Sequence, residues 1–378
     1  MRQHQAAARG SKLSVALVQD WLTGMRGGEK CLSAFCELFP DAPVFTLIHK
    51  KGTIWKSIED HRIETSFIEK LPFAFKSHQK YLPLFPAAIE RFDLRGFDLV
   101  ISSSHCVAKG VLTFPGTTHI CYCHTPMRYA WDMYWDYFGP ERERGIKGKF
   151  ISVVLSYLRT WDVASSQRVD HFIANSENVK KKIAKYYGRD SEVIHPWVDT
   201  ETFVENGNPG DYYLIVSALV PYKRIDLAIE ATRRLNAPLV IVGNGVERKR
   251  LEKQAGPNVK FTGWLDGQTL SKYYSGAKAV ILPGEEDFGI VPLEAQSCRR
   301  PVVAYGAGGA LETVEEGKTG FFFYPHTVES LIEALVKVGK EKLDGDAMRK
   351  NALRFTKENF KEKIKASIET KLGERSFG

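Results

Sequence analysis

Two glutamates bracket a strand-to-helix turn in the second half of the chain. Glu286 and Glu294 are separated by seven residues and follow the apolar run Ala279–Leu282. The pattern predicts a buried strand, a loop that carries Glu286, and a helix whose first turn carries Glu294. A carboxylate only accepts hydrogen bonds, so it can bind both hydroxyls of a diol. Two carboxylates about 10 Å apart, at roughly 1.5 Å per helical residue, suit the sugars of a nucleotide-sugar better than a metal.

Cations and glycines that could bind a diphosphate follow other predicted strands. Lys223 and Arg224 lie between the strand Tyr212–Ser217 and a helix. Cations beside free helix N–H groups form an anion site, and at the carboxyl edge of a parallel sheet we favour phosphate binding over a solvated pair. Gly308 and Gly309 allow backbone to approach an oxyanion closely, although a flexible turn explains them equally well.

Glycines and a histidine also mark strand ends elsewhere in the chain. Gly27 and Gly28 lie in the first strand-to-helix loop, whose length favours function over packing. His124 follows a strand, where a substrate role and a structural role are about equally expected. Gly243 opens a Gly-Asn-Gly turn, but Arg248 stands where a dinucleotide fingerprint needs its third glycine, so NAD binding is a weak interpretation.

Aromatic residues suggest two further surfaces. Six of them beside His124 could stack on sugar rings or form a core under a long loop; they are Tyr129, Trp131, Tyr134, Trp135, Tyr137 and Phe138. The segment Phe67–Phe85 mixes lysines with aromatic residues. Such a segment is typical of docking on an anionic membrane, and a buried helix pair with a solvated face is the slightly favoured alternative.

The elements that carry these residues alternate between strand and helix. This alternation predicts an α/β protein with two doubly wound parallel sheets. We assign residues 1–12 to a disordered leader, 13–198 to an N-terminal domain and 199–210 to a linker. Residues 211–360 form a nucleotide-sugar-binding domain, and 361–378 a C-terminal helix or tail.

The amino-acid composition limits which binding partners and which cellular compartment are expected. The 378 residues carry a net charge of +8, which favours phosphates or anionic lipid. Nucleic acid is not an expected partner, because the basic residues are scattered and no DNA-binding motif occurs. Six cysteines without a CxxC pair indicate reduced thiols in the cytoplasm, and zinc binding at Cys121, Cys123 and His124 is disfavoured. No apolar run approaches a membrane span, so we expect a cytoplasmic protein, with peripheral association at the inner face of the plasma membrane.

Nine motifs, taken in order, resemble the family-4 retaining glycosyltransferases of GT-B fold. The likeness runs from about Ser14 to Phe360, and it is strongest to bacterial mannosyltransferases that build surface polysaccharides. The motifs are Gly27-Gly28, His124-Thr125-Pro126, Ala174-Asn175-Ser176, Ile194-His195-Pro196-Trp197-Val198-Asp199, Pro221-Tyr222-Lys223-Arg224, Gly243-Asn244-Gly245, Phe261-Thr262-Gly263-Trp264, Glu286-Asp287-Phe288-Gly289-Ile290-Val291-Pro292-Leu293-Glu294-Ala295 and Gly308-Gly309.

The resemblance implies a role for each site residue. Glu286, His124 and Lys223 would be catalytic: Glu286 and His124 would meet the donor sugar, and Lys223 would neutralise the diphosphate. Glu294 would hold the ribose. The implied donor-binding set is Glu294, Arg224, Gly27, Gly28, Phe288, Gly289, Ile290, Gly308, Gly309 and Gly243. Ala218 stands where the family commonly has an arginine. No metal or other cofactor is implied.

The implied reaction is retaining transfer of a hexosyl group, mannosyl by preference, from GDP-mannose. The acceptor would be a glycan or a polyprenyl-diphosphate-linked saccharide in polysaccharide or lipopolysaccharide biosynthesis. The resemblance also implies that the two sheets face a cleft, that residues 13–198 form the acceptor side, and that the C-terminal helix returns to the N-terminal domain. UDP-glucose or a related UDP-sugar is the alternative donor. The alternative functions are a nucleotide-sugar epimerase and a non-catalytic nucleotide-sugar-binding protein.

Overall fold

A computed structural model describes residues 13–138 and 146–373. Within these residues, seven parallel strands form an N-terminal sheet and six form a C-terminal sheet. The strand orders are β3-β2-β1-β4-β5-β6-β7 and β10-β9-β8-β11-β12-β13. The chain therefore leaves β1 and β4, and likewise β8 and β11, in opposite directions. The predicted class, two doubly wound α/β domains, is confirmed.

The N-terminal domain carries helices on both faces of its sheet. Its strands are β1 (Val15–Gln19), β2 (Val44–Thr46), β3 (Ile63–Thr65), β4 (Leu99–Ser104), β5 (Thr118–Cys123), β6 (His171–Ala174) and β7 (Glu192–Val193). Its α-helices are α1 (Gly27–Leu38), α2 (Lys56–Glu59), α3 (Ala74–Ser77), α4 (Phe85–Ile89), α5 (Tyr134–Phe138), α6 (Ile146–Ser166) and α7 (Glu177–Tyr187). Short 3-10 helices cover Phe67–Lys70, His78–Leu84 and Ala108–Gly110.

The C-terminal domain repeats this plan. Its strands are β8 (Tyr213–Val216), β9 (Leu239–Val242), β10 (Val259–Gly263), β11 (Ala279–Leu282), β12 (Val302–Tyr305) and β13 (Gly320–Phe323). Its α-helices are α8 (Ile225–Arg234), α9 (Arg248–Gln254), α10 (Gly267–Ser275), α11 (Ile290–Ser297), α12 (Ala310–Thr313), α13 (Val328–Lys340), α14 (Gly345–Ala352) and α15 (Lys357–Leu372). The 3-10 helices are Pro221–Lys223 and Leu353–Phe355.

Continuous apolar strands explain why both sheets are covered. Alternate residues of β1 enter different cores: Leu17 packs with Phe35 on one face, and Val18 packs with Phe85 on the other. A strand buried on both faces has no polar side to turn to water, so each face must be closed by helices. The carboxyl ends of the strands are then the free edge for polar side chains.

The last helix, α15, packs on the N-terminal domain as predicted. Phe360 and Ile364 lie in the same core cluster as Phe35, and the rings of Phe35 and Phe360 are 5.8 Å apart. Lys361 Nζ lies 3.0 Å from Glu37 Oε2. Apolar residues four apart face one side of a helix, which explains the single contact face.

Several predicted elements differ from the structure. The amphipathic stretch from Ala347 to about Lys371 predicts one helix, but the structure has two, α14 and α15. Thr356 caps the second through Asn359 N–H. The 21-residue α6, β13 and α13 were not predicted. Glu294 lies in the second turn of α11 rather than the first. The segment Phe67–Phe85 forms short 3-10 and α turns rather than a helix pair.

Three further observations bear on the compositional predictions. All six cysteines are free and buried, as expected of reduced thiols. Within the described part of the chain, no helix has both the length and the apolar composition needed to cross a bilayer. The predicted leader, residues 1–12, lies outside the described residues.

Candidate functional site

Glu286 and Lys223 meet at the carboxyl edge of the C-terminal sheet. Lys223 ends the 3-10 helix after β8, and Glu286 lies in the loop after β11. β8 and β11 are adjacent, so the two loops open at the switch point where α/β sheets bind ligands. Lys223 Nζ pairs with Glu286 Oε1, and both side chains are mostly buried. A cation and a carboxylate thus stand side by side at this edge.

The glycine loop after β12 lies against the same glutamate. Gly308 forms a β-bridge with Glu286, and Gly309 N–H donates to Glu286 O at 2.8 Å. A Cβ on Gly309 would lie 2.3 Å from Phe288 Cα, so only glycine allows this approach. The loop therefore brings backbone against the Lys223–Glu286 pair.

Glu294 already has a partner for each carboxylate oxygen. Tyr274 donates its hydroxyl to Oε2 at 2.8 Å, and Lys30 of the N-terminal domain lies 2.9 Å from Oε1. Burial, followed by the nearby carboxylate, raises the pKa of Tyr274 well above its ordinary value, so the hydroxyl stays a donor. A ribose diol would have to displace Lys30 from Glu294.

Arg224 and Gly243 do not join this group. Arg224 caps α8 with a φ of 48°, and its guanidinium binds Asp226 through Nε and Nη2 at 3.2 Å each. Gly243 lies against the neighbouring loop, where a Cβ would be 1.9 Å from Ser217 O. Both positions shape the loops, and their donor-binding role stays a prediction.

On the opposite side, His124 faces Gly28 and an unpaired amide. His124 follows β5, and Ser103 Oγ lies 2.8 Å from its Nε2. Burial lowers the pKa of His124 to about 3, so the ring is neutral. Gln19 is fully buried with neither side-chain atom hydrogen-bonded within the described structure. Its Nε2 lies 3.4 Å from where a Gly28 Cβ would be.

The two domains touch at predicted donor residues. A Cβ on Gly27 would lie 3.3 Å from Ile290 Cδ1, so α1 and α11 meet end to end. Gly289 precedes α11 with a φ of 87°. Phe288 is buried, with its ring stacked 5.3 Å from that of His195. Phe288 thus contributes packing at the domain junction.

An ionic cluster that the sequence reasoning missed joins the domains. Asp287 is 3% exposed and binds Arg128 at 2.5 Å and Lys182 at 2.7 Å. Burial alone would raise the pKa of Asp287, but the two cations outweigh it and lower the pKa. Arg128 also donates to Tyr222 OH at 3.1 Å, beside Lys223. The sequence signal for this cluster was the position of Asp287 between Glu286 and Phe288, which were both assigned to the site.

Helix α7 adds a second junction. Its cap Ser176 donates Oγ–H to Asp287 O at 2.7 Å. The N–H of Glu177 donates to Glu312 Oε2 at 2.8 Å, and His195 Nε2 lies 2.9 Å from the same oxygen. An acidic side chain at a helix N-terminus is favourable, so Glu312 holds α7 against the C-terminal domain.

The remaining predicted sites have simple outcomes. Within residues 13–138 and 146–373, no group of three or more His, Cys, Asp or Glu side chains is placed to hold a metal ion. The proposal that no metal is required rests on the resemblance and stays a prediction.

In the segment Phe67–Phe85, Phe73 is 75% exposed and Phe75 is 49% exposed.

Two family models match successive parts of the chain. Residues 55–202 match the model described as Glycosyltransferase Family 4. Residues 199–355 match the model described as Glycosyl transferases group 1. The two matches meet at the junction between the sheets.

Curated relatives align over part of their length. A D-inositol 3-phosphate glycosyltransferase of Kribbella flavida is 28% identical over 225 residues, 50% of this chain and 52% of the relative. The sulfoquinovosyl transferase SQD2 of Arabidopsis thaliana is 35% identical over 158 residues, 39% of this chain and 31% of the relative. The chain thus spans about half or less of these relatives.

Solved structures share the architecture across nearly the whole chain. HepE of Anabaena, in complex with UDP and glucose, superposes with a TM-score of 0.69 at 19% identity, covering 95% of this chain and 100% of that one. Sucrose-phosphate synthase of Thermosynechococcus elongatus gives 0.71 at 18%, covering 96% and 99%. These likenesses establish the two-domain GT-B fold.

Proposed function

We propose that this chain, whose fold and two family matches support a glycosyltransferase, is a retaining hexosyltransferase that uses a nucleotide-diphosphate sugar. The observation that carries the proposal is the Lys223–Glu286 pair at the switch point, with the backbone of Gly308 and Gly309 against it. Lys223 supplies positive charge for a diphosphate, and Glu286 supplies an acceptor for sugar hydroxyls. Glu294 would take the ribose once Lys30 is displaced.

In the proposed reaction, an acceptor hydroxyl attacks the anomeric carbon from the side of the leaving group. The new carbon–oxygen bond forms as the bond to the diphosphate breaks, and the nucleoside diphosphate leaves with that electron pair. The hydroxyl proton passes to the departing phosphate. Lys223 stabilises the charge that develops on the leaving oxygen. Closure of the two domains excludes water, because hydrolysis is the competing reaction.

The carboxylates at the edge support this front-face route over a covalent intermediate. Glu286 is held by Lys223, and Asp287 is buried between Arg128 and Lys182. A nucleophile must be free to approach the anomeric carbon. Neither carboxylate meets that condition without giving up its cation.

GDP-mannose is the donor that we propose, and a UDP-hexose is the alternative. The first follows from the motif resemblance. The second is favoured by the likeness to HepE, which was solved with UDP-glucose. A thermal-shift series with GDP-mannose, UDP-glucose and their free diphosphates separates the two, since the cognate donor and its diphosphate should raise the melting temperature at lower concentrations than the other pair.

The proposed acceptor is a glycan or a polyprenyl-diphosphate-linked saccharide at a membrane surface. The exposed rings of Phe73 and Phe75 beside Lys76, together with the net charge of +8, support peripheral binding to anionic lipid. Flotation with phosphatidylglycerol vesicles tests this. Protein that stays at the bottom of the gradient contradicts membrane association.

The function itself is tested by Glu286→Ala and Lys223→Ala. Each should lower sugar transfer by roughly 100-fold or more, because Lys223 stabilises the developing charge on the leaving oxygen and Glu286 positions the donor sugar. Lys318→Ala, at an exposed lysine paired with Glu315, is the matched control and should keep full activity. Release of nucleoside diphosphate and the anomeric configuration of the product are measured together. Near-normal transfer by both site variants, or an inverted product, contradicts the proposal.

A further inference from the structure

The N-terminal sheet has its own switch point, and two of the residues there have no part in the proposed donor chemistry. Asp20 follows β1 and His105 follows β4. These strands are adjacent, and the chain leaves them in opposite directions. Ligands bind at such a point in open α/β sheets. The corresponding point of the C-terminal sheet holds Lys223 and Glu286, so each domain presents one such edge.

Asp20 fixes the orientation of His105. Asp20 is fully buried, and Oδ2 lies 2.9 Å from His105 Nδ1. Its oxygens also accept four backbone N–H groups, from His105, Cys106, Val107 and Ala108. A carboxylate so held cannot turn, so it keeps the proton of His105 on Nδ1 and leaves Nε2 as an acceptor. The His105 side chain is 33% exposed, which lets a ligand reach Nε2.

Trp21 places an aromatic face between His105 and a second histidine. Its ring centroid is 4.5 Å from that of His105 and 5.0 Å from that of His78. Phe85 backs the indole at 6.1 Å. His78 is only 7% exposed, and neither ring nitrogen has a hydrogen-bond partner within the described residues. A buried polar group without a partner is costly, and a ligand hydroxyl would remove that cost.

The charges around this cluster favour an uncharged ligand. Burial, followed by the charge of Arg26, lowers the pKa of His78 to about 4, so its ring is neutral at physiological pH. Asp20 is a buried carboxylate, and its charge opposes a phosphate. Arg26 is a nearby cation and would attract a phosphate, but its side chain is exposed to solvent.

We propose that Trp21, His78 and His105 form the acceptor subsite and that it binds the ring of an uncharged sugar. The ring stacks on the indole, and the imidazole nitrogens hydrogen-bond its hydroxyls, as neutral imidazoles both donate and accept. This rests on the proposed function, because the attacking hydroxyl must enter the same cleft as the donor. The subsite therefore selects the terminal sugar of an acceptor glycan over a phosphorylated small molecule.

Saturation-transfer NMR of the whole chain tests the subsite directly. The probes are methyl α-mannoside, methyl α-glucoside, methyl α-galactoside and, as a charged match, mannose 6-phosphate. At least one methyl glycoside should bind better than the phosphate. Trp21→Ala should weaken that binding about tenfold, and Trp21→Phe, which keeps a ring, should weaken it less. Trp135→Ala, at an exposed tryptophan of this domain, should leave it unchanged.

Titration of each variant with GDP and UDP separates the two proposals. Retained nucleotide binding shows that a variant is folded. Failure of the wild type to bind either nucleotide contradicts the proposed function. If a nucleotide binds, three results overturn the subsite: no methyl glycoside binds, mannose 6-phosphate binds best, or binding is lost in Trp135→Ala rather than Trp21→Ala.

Discussion

Asp287→Asn should open the cleft between the two domains. Asp287 belongs to the C-terminal domain, and its carboxylate binds Arg128 and Lys182 of the N-terminal domain at 2.5 Å and 2.7 Å. The substitution keeps the size of the side chain and removes its charge. Arg128 and Lys182 then lose their counter-ion in the C-terminal domain, and only Lys182 keeps another carboxylate, that of Asp132.

The expected magnitude follows from burial. The side chains of Asp287, Lys182 and Arg128 are 3%, 11% and 26% exposed. Breaking a buried ion pair costs about 3–5 kcal/mol. We expect the lower end, since Arg128 reaches some solvent and the asparagine oxygen still accepts a hydrogen bond. About 3 kcal/mol shifts the equilibrium between closed and open arrangements roughly 100-fold.

Small-angle X-ray scattering and calorimetry measure this shift. Asp287→Asn should have a larger radius of gyration than the wild type and a lower melting temperature. The matched control is Asp132→Asn. Asp132 shares Lys182 as its partner, is 22% exposed, and lies in the same domain as that lysine. Its loss should cost about 1 kcal/mol or less and leave the radius unchanged.

Two results would refute the reasoning. A wild-type radius in Asp287→Asn would mean that the ionic cluster does not hold the domains together. An equal expansion in Asp132→Asn would mean that the charge of Lys182, rather than its bond across the junction, matters.

Three other predictions follow from single contacts. Lys30→Ala should strengthen GDP or UDP binding in calorimetric titration, because Lys30 competes for Glu294; weaker binding would make Lys30 a nucleotide ligand instead. Gly309→Ala should lower the melting temperature strongly, because its Cβ would lie 2.3 Å from backbone, whereas Gly306→Ala meets nothing closer than 3.5 Å; equal melting temperatures would contradict this. The free energy of unfolding should fall as pH drops from 6.5 towards 4, because burial lowers the pKa of His119 to about 4 and the unfolded chain takes up the proton first. Denaturant titrations at pH 7 and pH 5 measure this, and His119→Asn should make the dependence less steep, while His78 and His124 keep the remainder.

The hydrophobic pattern predicted most strands of the two sheets well, but it predicted long helices and helix boundaries poorly. The strands β8, β9 and β11 are short apolar runs bounded by turn residues, which a reading along the chain finds. The long helix α6 was missed, because its exposed Phe150 and Val153 blur the polar face that marks a surface helix. The break at Thr356 was missed, because a helix cap shows itself only when its hydroxyl meets a backbone N–H.

Residue spacing likewise brought part of the candidate site together. Glu286, Lys223 and the glycines Gly308 and Gly309 converge because parallel strands deliver their following loops to one edge. Arg224 does not join them, since a neighbouring Asp226 satisfies its guanidinium. Residue spacing gives the position of a side chain on a helix, strand or loop, but it does not give the residue that the side chain contacts.

The sequence by itself determined two doubly wound domains, the loops that end their strands, and the carboxylates and cations on those loops. These depend on neighbours in the chain, through alternation, turn residues and apolar runs. Only the tertiary structure decided that Lys30 covers Glu294, that Arg128 and Lys182 reach across to Asp287, and that Asp20 aligns His105. The residues in each of these sets come from distant parts of the chain, and packing alone brings them within hydrogen-bond distance.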